Sequence, residues 1–306
     1  MLLFVALTVV PSSVCAFSVD DSYVVPFQVF LHSLYLTSSI PLSCDIYILH
    51  SAQLSPASVN ILRLFISGYG YRCHFCDVSA LSLPNLPIDK RDHVAISTFY
   101  RLFVADLLPE GVDLVVYLDS DMIALRSISS LFALKFSGQS LLAAVDHCEP
   151  REGLRLWGDS GGTYFQAGVL VVPLGLWRQR LLTEKFLDTI IYQRDKIRWH
   201  DQDVLNLVIG SNWMRLPVWL NVCHSHLPLL TLPDIEENAS IIHFSGAHKP
   251  WNSYDSSPFN YCWDRVYFQL YGRSFDRRAL KPPRFPRIRH IRSRILSRIK
   301  DAFFIG

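Results

Sequence analysis

The stretch VVYLDSDMIAL, residues 115–125, runs through an uncharged apolar segment and then sets Asp119 and Asp121 on either side of Ser120. Two carboxylates two residues apart repel unless a cation neutralises them. Open α/β sheets bind ligands outside the carboxyl ends of their strands, so a pair at the end of a buried strand stands where a ligand would be. A hard divalent ion with oxygen ligands, Mg2+ or Mn2+, would bridge the pair to the phosphates of a nucleotide. The same two residues can equally serve as turn or capping aspartates, so the motif alone decides little.

Far downstream, IIHFSGAHKPW (residues 241–251) ends a second apolar run with His243 and then supplies Gly246, Lys249 and Trp251. An imidazole nitrogen is a third metal ligand better suited to Mn2+ than to Mg2+. Gly246 lets backbone approach a phosphate, and Lys249 brings a point positive charge to a leaving diphosphate. Taken singly, each has an ordinary structural role to fill. Together, two aspartates, a histidine and a lysine point to a metal-diphosphate site.

Such a site needs strands that end side by side. SVCAFSV, CDIYILH and YRCHFCDV read as strands, with the helical spacings of VVPFQVFLHSLYLTSS and PASVNILRLFISGYG between them. That alternation predicts a mostly parallel sheet with helices on its faces. A proline-broken loop, LSLPNLPIDKRD, precedes ISTFYRLFVADLLP, read as a helix stopped by Pro109. DLVVYLD is too apolar for a wet face, which predicts a central strand. LLAAVD and TYFQAGVLVVPL follow as strands, RQRLLTEKFLDTIIYQRD as an amphipathic helix and DQDVLNLVIG as a short helix closed by Gly210.

The 306 residues suffice for one large α/β domain, and the composition, 50% hydrophobic and 18% charged, is that of a globular protein. The net charge of +2 hides an asymmetry: from Arg273 onward 11 Lys/Arg face only Asp276 and Asp301, leaving 18 basic and 25 acidic residues before it. A mildly acidic body argues against a nucleic-acid partner. In the tail, Ile288, Ile291, Ile295, Leu296 and Ile299 recur at helical spacing among Arg and Lys. A basic amphipathic helix signals an anionic membrane surface, although it can also pack one face on the body. Seven scattered cysteines are no disulfide framework, and Cys73-His74-Phe75-Cys76 has the spacing of half a zinc site without a second half, so a buried strand explains it better. The first 19 residues carry no charge; they lack the positive start of a signal peptide, and residues 14–19 are expected to form the first core strand. The expected organisation is an apolar extension (1–13), a catalytic domain (14–272) and a basic tail (273–306).

FSVDDSY, YRL, VVYLDSDMIAL, VDHCE, YFQAGVLVVPLGLWR, HDQDVLN and HFSGAHKPW come in the order and at roughly the spacings of family 8 glycosyltransferases. The chain is similar to that family, which includes bacterial lipopolysaccharide galactosyl- and glucosyltransferases, over residues 14–270. The resemblance implies a GT-A fold, a UDP-sugar donor, Mn2+, a glycan or glycolipid acceptor and retention of anomeric configuration. By the same resemblance Asp20, Ser22 and Tyr23 hold the uracil and ribose, Arg101 lies near the donor, Asp119, Asp121 and His243 ligate the metal, and Ser120 between the aspartates counts among the donor-binding residues. Asp146 holds the transferred sugar, Asp201 and Gln202 stand near the anomeric carbon, Gln166 and Ala167 line the donor site, and Gly246 and Lys249 bind the diphosphate. Members that build lipopolysaccharide often carry a basic aromatic C-terminus on the cytoplasmic membrane face, which sets the expected location, with the secretory pathway as the alternative.

Two departures stand out. The family's usual FNAGV reads FQAGV here, so Gln166 replaces an asparagine, and Ser22 stands where asparagine is frequent. Retention by double displacement needs a carboxylate nucleophile, whereas the matching residue, Gln202, offers only an amide. Front-face attack is therefore favoured, with Asp201 and Asp146 as alternative nucleophiles. Two rival readings are a sugar-nucleotide or glycan-binding module that has lost activity through Gln166, and a phosphohydrolase that also uses paired aspartates.

Overall fold

The computed structural model describes residues 14–81, 96–146, 149–158, 163–223, 226, 230–246, 249–252 and 257–277. The apolar extension and nearly all of the basic tail lie outside these residues, as does most of the proline-broken loop. The chain divides into two compact units, residues 1–247 and 248–306.

In the first unit the chain alternates as the periodicity predicts. β1 (Val14–Ser18), α1 (Val24–Leu36), β2 (Asp45–His50), α2 (Pro56–Gly68) and β3 (Arg72–Asp77) form two crossovers with parallel pairing. Ser55 caps α2 by accepting from Ser58 N–H, and Pro56 occupies the first turn, where a missing N–H costs nothing. Then come α3 (Val104–Leu107), β4 (Leu114–Leu118), β5 (Met122–Ala124), β6 (Leu141–Val145), α4 (Glu149–Trp157) and β7 (Phe165–Pro173). α5 (Leu174–Gln179), α6 (Leu182–Tyr192), α7 (His200–Ile209), β8 (Trp213–Leu216), β9 (Val222–Cys223), α8 (Leu232–Asn238) and β10 (Ile241–His243) complete the unit.

Seven strands make the main sheet in the order β3-β2-β1-β4-β7-β6-β8, and β5-β10-β9 make a small second sheet. β7 runs antiparallel to both β4 and β6 while the other main-sheet pairs are parallel, so the sheet is mixed and mostly parallel, as expected. β4 is the middle strand, in keeping with its lack of a polar face. Side chains alternate across the sheet: Val115 and Tyr117 enter one core with Val14, Ala16, Leu170 and Val172, while Val116 and Leu118 enter the other with Cys15, Phe17, Val169 and Val171.

Two local expectations change. Residues 96–109 are no single α-helix: Ile96–Phe103 is wound as a 3-10 helix before the four-residue α3. In that winding residues three apart eclipse, which aligns Thr98 with Arg101. The Cys73-to-Cys76 segment is not a buried strand but the edge strand β3, with both thiols half-buried. The six described cysteines are all free thiols.

The second unit is built on α9 (Asn260–Tyr271), whose Trp263 packs against Trp251, Tyr267 and Phe275 at 5.1–5.7 Å between ring centroids. Arg277 donates to Pro250 O at 2.5 Å and forks onto the Asp264 carboxylate. Lys249 belongs to this unit, its Nζ 6.0 Å from the centre of the Trp251 ring. No helix among the described residues is long and apolar enough to cross a membrane.

Candidate active site

The chain leaves the main sheet at the end of β4 and joins the small sheet at Met122, and Asp119-Ser120-Asp121 is the crossing between them. Alternation decides where each side chain goes. Asp119 follows Tyr117 on one face and accepts a hydrogen bond from its hydroxyl at 3.1 Å. Ser120 turns to the other face and donates to Ser18 O at 2.8 Å, tying the crossing to β1. Asp121 precedes β5, and the antiparallel pairing of β5 with β10 sets His243 opposite Met122, fastened by Phe244 N–H donating to Asp121 O at 2.9 Å. A register of one small sheet thus brings together residues 122 positions apart.

His243 Nε2 lies 3.2 Å from Asp121 Oδ1 and 3.6 Å from Asp119 Oδ2. These three residues each offer a ligand atom within 4.8 Å of the others, the one such His/Cys/Asp/Glu group among the described residues. Two carboxylate oxygens and an imidazole nitrogen form a donor set suited to Mn2+ and acceptable to Mg2+, so the residues fit the divalent ion that the sequence implied.

Arg101 is the permanent cation beside them. Its Nη2 is 2.7 Å from Asp119 Oδ1 and its Nε 2.8 Å from Asp201 Oδ2, while Nη1 donates to Ala167 O at 2.5 Å. The guanidinium sits over the Tyr117 ring, 4.7 Å from its centre, and donates to Thr98 Oγ1 at 3.0 Å, the alignment that the 3-10 winding creates. Burial pushes Asp119 above the usual carboxylate range; Arg101 draws it back, and Asp121 pushes it up again. Asp201 is likewise raised by burial against the pull of Arg101 and of Thr98, whose hydroxyl donates to it at 2.7 Å. Burial would lower His243, but the Asp121 carboxylate and Cys223 lift it to about 10.

Beside this cluster, Gln202 in the first turn of α7 bridges two elements. Its Oε1 accepts from Ala167 N–H at 3.1 Å and its Nε2 donates to Asp146 Oδ2 at 3.1 Å. Asp146 directly follows β6, and its own N–H donates to Tyr164 O just before β7. Helix α7 is seated by residues the motif reading passed over. Asp203, fully buried, accepts from Tyr164 Oη, Arg155 Nη2 and the backbone N–H groups of Arg198 and Trp199. Asn206 pairs with both Phe165 N–H and Phe165 O at 2.9 Å. His200, which starts α7, holds φ +49°, a left-handed conformation that histidine tolerates better than bulkier residues.

At the start of β1's following turn, Asp20 is buried and already engaged: Oδ1 accepts from Ser22 N–H and Oγ, and Oδ2 from Ser97 Oγ at 3.2 Å. Tyr23 flanks this turn and packs on the core beneath α1. Gly246 takes φ +69°, a left-handed backbone conformation that favours glycine. Gln166 does not stand alone: its Oε1 accepts from Gly168 N–H at 2.6 Å and from Asn221 Nδ2. Asn221, immediately before β9, went unrecognised in the sequence because nothing marks a lone asparagine ahead of a two-residue strand.

The mostly parallel sheet flanked by helices is the architecture expected of a GT-A protein, and the solved structures agree on the fold. A galactosyltransferase, LgtC, solved in complex with donor and acceptor sugar analogues, superposes with a TM-score of 0.71 at 20% identity over 84% of this chain and 95% of its own. The GlyE glycosyltransferase of Streptococcus pneumoniae gives 0.63 at 22% identity, covering 84% and 60%. Among curated proteins, General stress protein A of Bacillus subtilis is 30% identical over 55% of this chain and 63% of its own. An Escherichia coli lipopolysaccharide 1,2-glucosyltransferase is 29% identical over 52% of this chain and 50% of its own. The chain spans between about a fifth and two thirds of the length of the curated relatives it matches. Residues 14–255 match the family described as Glycosyl transferase family 8, and with most of its length so matched the chain belongs to that family.

Proposed function

We propose that this chain is a Mn2+-dependent retaining hexosyltransferase that moves galactose or glucose from a UDP-sugar to a glycan acceptor, lipopolysaccharide or another surface glycan. The observation that carries the proposal is the convergence of Asp119, Asp121 and His243 at one end of the sheet, with Arg101 and the Asp146–Gln202 pair beside them.

Bound there, a divalent ion would supply Lewis-acid stabilisation of the charge that develops on the departing diphosphate. Asp20, Ser22 and Tyr23 would hold the nucleoside, and Gly246 the diphosphate. Arg101, ion-paired with Asp119 and Asp201, favours their charged forms and fixes them in place, so that the acidic pocket does not reorganise as charge moves. Asp146, oriented by Gln202, accepts hydrogen bonds from the sugar hydroxyls. Asp201 is a poor candidate nucleophile, because it is buried, accepts from Thr98 at Oδ1 and is ion-paired with Arg101. That favours front-face attack, in which the acceptor hydroxyl gives its proton to the departing phosphate oxygen.

The test is UDP release from a panel of UDP-sugars with Mn2+ or EDTA, comparing the natural chain with Asp121→Asn. Mn2+-dependent release from one sugar, lost in the variant, is the expected result and names the donor. Release unaffected by EDTA and by the variant overturns the metal reading. The basic tail, whose residues 278–306 lie outside the described set, is proposed to hold the protein to the cytoplasmic face of an anionic membrane. Lys and Arg near such a surface contribute about 1 kcal/mol each. Deleting 278–306 should abolish co-sedimentation with anionic vesicles while UDP release persists.

A further inference from the structure

Gln166 and Asn221 form a relay of amides that ends on His243, and each link fixes the polarity of the next. The chain starts from a group whose role is unambiguous: Gly168 N–H is a backbone amide and can only donate. The Gln166 atom 2.6 Å from it must therefore be the carbonyl oxygen, Oε1. The Asn221 atom facing that same oxygen must be its NH2. Its other end, facing His243 Nδ1 at 3.0 Å, is then Oδ1, an acceptor only. Nδ1 must carry a proton, which leaves Nε2 as the nitrogen turned to Asp121 and Asp119. Cys223 Sγ also lies near Nδ1, but at 3.7 Å it is the weaker partner.

We infer that Gln166 and Asn221 are positioning residues that hold His243 as an Nε2 metal ligand. On this account Gln166 works from behind the histidine, and its extra methylene relative to asparagine lets one oxygen reach both Gly168 N–H and Asn221. Asn221 and His243 are essentially inaccessible and Gln166 nearly so, so no water competes for the links. Outer partners of this kind typically change metal affinity 10–100-fold when removed. The inference rests on the metal reading above and deepens it.

The experiment is calorimetric and paramagnetic titration of the full chain with Mn2+ alone, without donor, alongside thermal melting. Asn221→Leu removes the acceptor facing Nδ1, and Gln166→Leu removes the oxygen that orients Asn221. Each should weaken Mn2+ binding about 10–100-fold. Gln166→Glu keeps an oxygen that accepts from both neighbours and should bind Mn2+ no more weakly than the natural chain; this rescue separates polarity from packing. Should Asn221→Leu not fold, the Gln166→Leu and Gln166→Glu pair carries the comparison. Natural protein that binds Mn2+ while all three variants bind it equally overturns the relay and leaves the metal site standing. Natural protein that binds no Mn2+ overturns both.

Discussion

Replacing Gly168 by alanine probes how closely the site is built. Gly168 lies at the start of β7 with an ordinary φ, so its backbone would accept any residue; what forbids a side chain is the histidine behind it. A Cβ there would stand 2.3 Å from His243 Cε1, 2.6 Å from Nδ1 and 2.9 Å from Gln166 Oε1. Carbon atoms in contact settle at about 3.5–4.0 Å, so the imidazole must retreat by roughly 1 Å or more. A shift of that size stretches the 3.0 Å bond to Asn221 beyond hydrogen-bonding distance. It also exceeds the tolerance of about 0.2 Å that metal–ligand distances allow. Gly168→Ala is expected to cost about 1–3 kcal/mol of stability through overpacking and about 10–100-fold in Mn2+ affinity. Denaturant melts and Mn2+ titration of the intact chain measure both. The control is Gly68→Ala at the end of α2, where nothing lies within 4 Å of the added carbon and stability should hold or rise. Mn2+ affinity of Gly168→Ala equal to that of the natural chain would refute the reasoning, because the ring would then be free to move without consequence.

Arg178 donates to the carbonyl oxygens of Ala105, Leu108, Pro109, Glu110 and Val112 and so stitches the turn that feeds β4. Arg178→Met should lower stability by about 2–4 kcal/mol, and Arg178→Lys should recover less than half, since one ammonium cannot reach five carbonyls; urea unfolding reads both. His32, hydrogen-bonded to Tyr69 Oη at 2.7 Å, is held below its ordinary 6.5 by burial. For a depressed base the stabilising contribution is full above the unfolded value and is lost as pH falls through the folded one. The natural chain should therefore lose more stability than His32→Gln as pH is lowered from 7 past 6, measured by thermal melts across that range; parallel curves would show that His32 does not titrate separately.

Six of the seven main-sheet strands were legible from their apolar runs, whereas β8, four residues with two of them exposed, gave no such signal. β4 is an uninterrupted apolar run and β7 one broken only near its start by Gln166 and Gly168, and neither needed tertiary information. The small sheet was not legible: β5 and β10 have three residues each and β9 two, too short for any periodicity to show. Yet that sheet carries His243 to the aspartates. Asp119, Asp121 and His243 were therefore singled out as candidate metal ligands through motif order, and the reason they meet came only from the pairing of Met122 with His243. The 3-10 segment misled for a related reason, since eclipsed and staggered windings share much of their apolar spacing over eight residues. Asn221 and Asp203 escaped because their work is hydrogen bonding behind the ligands, which leaves no mark on hydrophobic pattern.

The two glutamines of the site are governed by neighbouring backbone groups. Ala167 N–H meets Gln202 Oε1, and Gly168 N–H meets Gln166 Oε1. Each N–H forces an oxygen toward β7 and, in the case of Gln202, an NH2 away from it, toward Asp146. On the other side the same logic passes through Asn221 to His243. Successive residues of a strand point their amides in opposite directions, so one dipeptide can orient the Asp146 carboxylate and the His243 imidazole at once. Side-chain amides suit this position because they carry a donor and an acceptor without charge. A carboxylate at residue 202 would accept from Ala167 N–H but would set two negative groups face to face at Asp146. This gives a physical reason for glutamine at residue 202 that is independent of any role as a nucleophile.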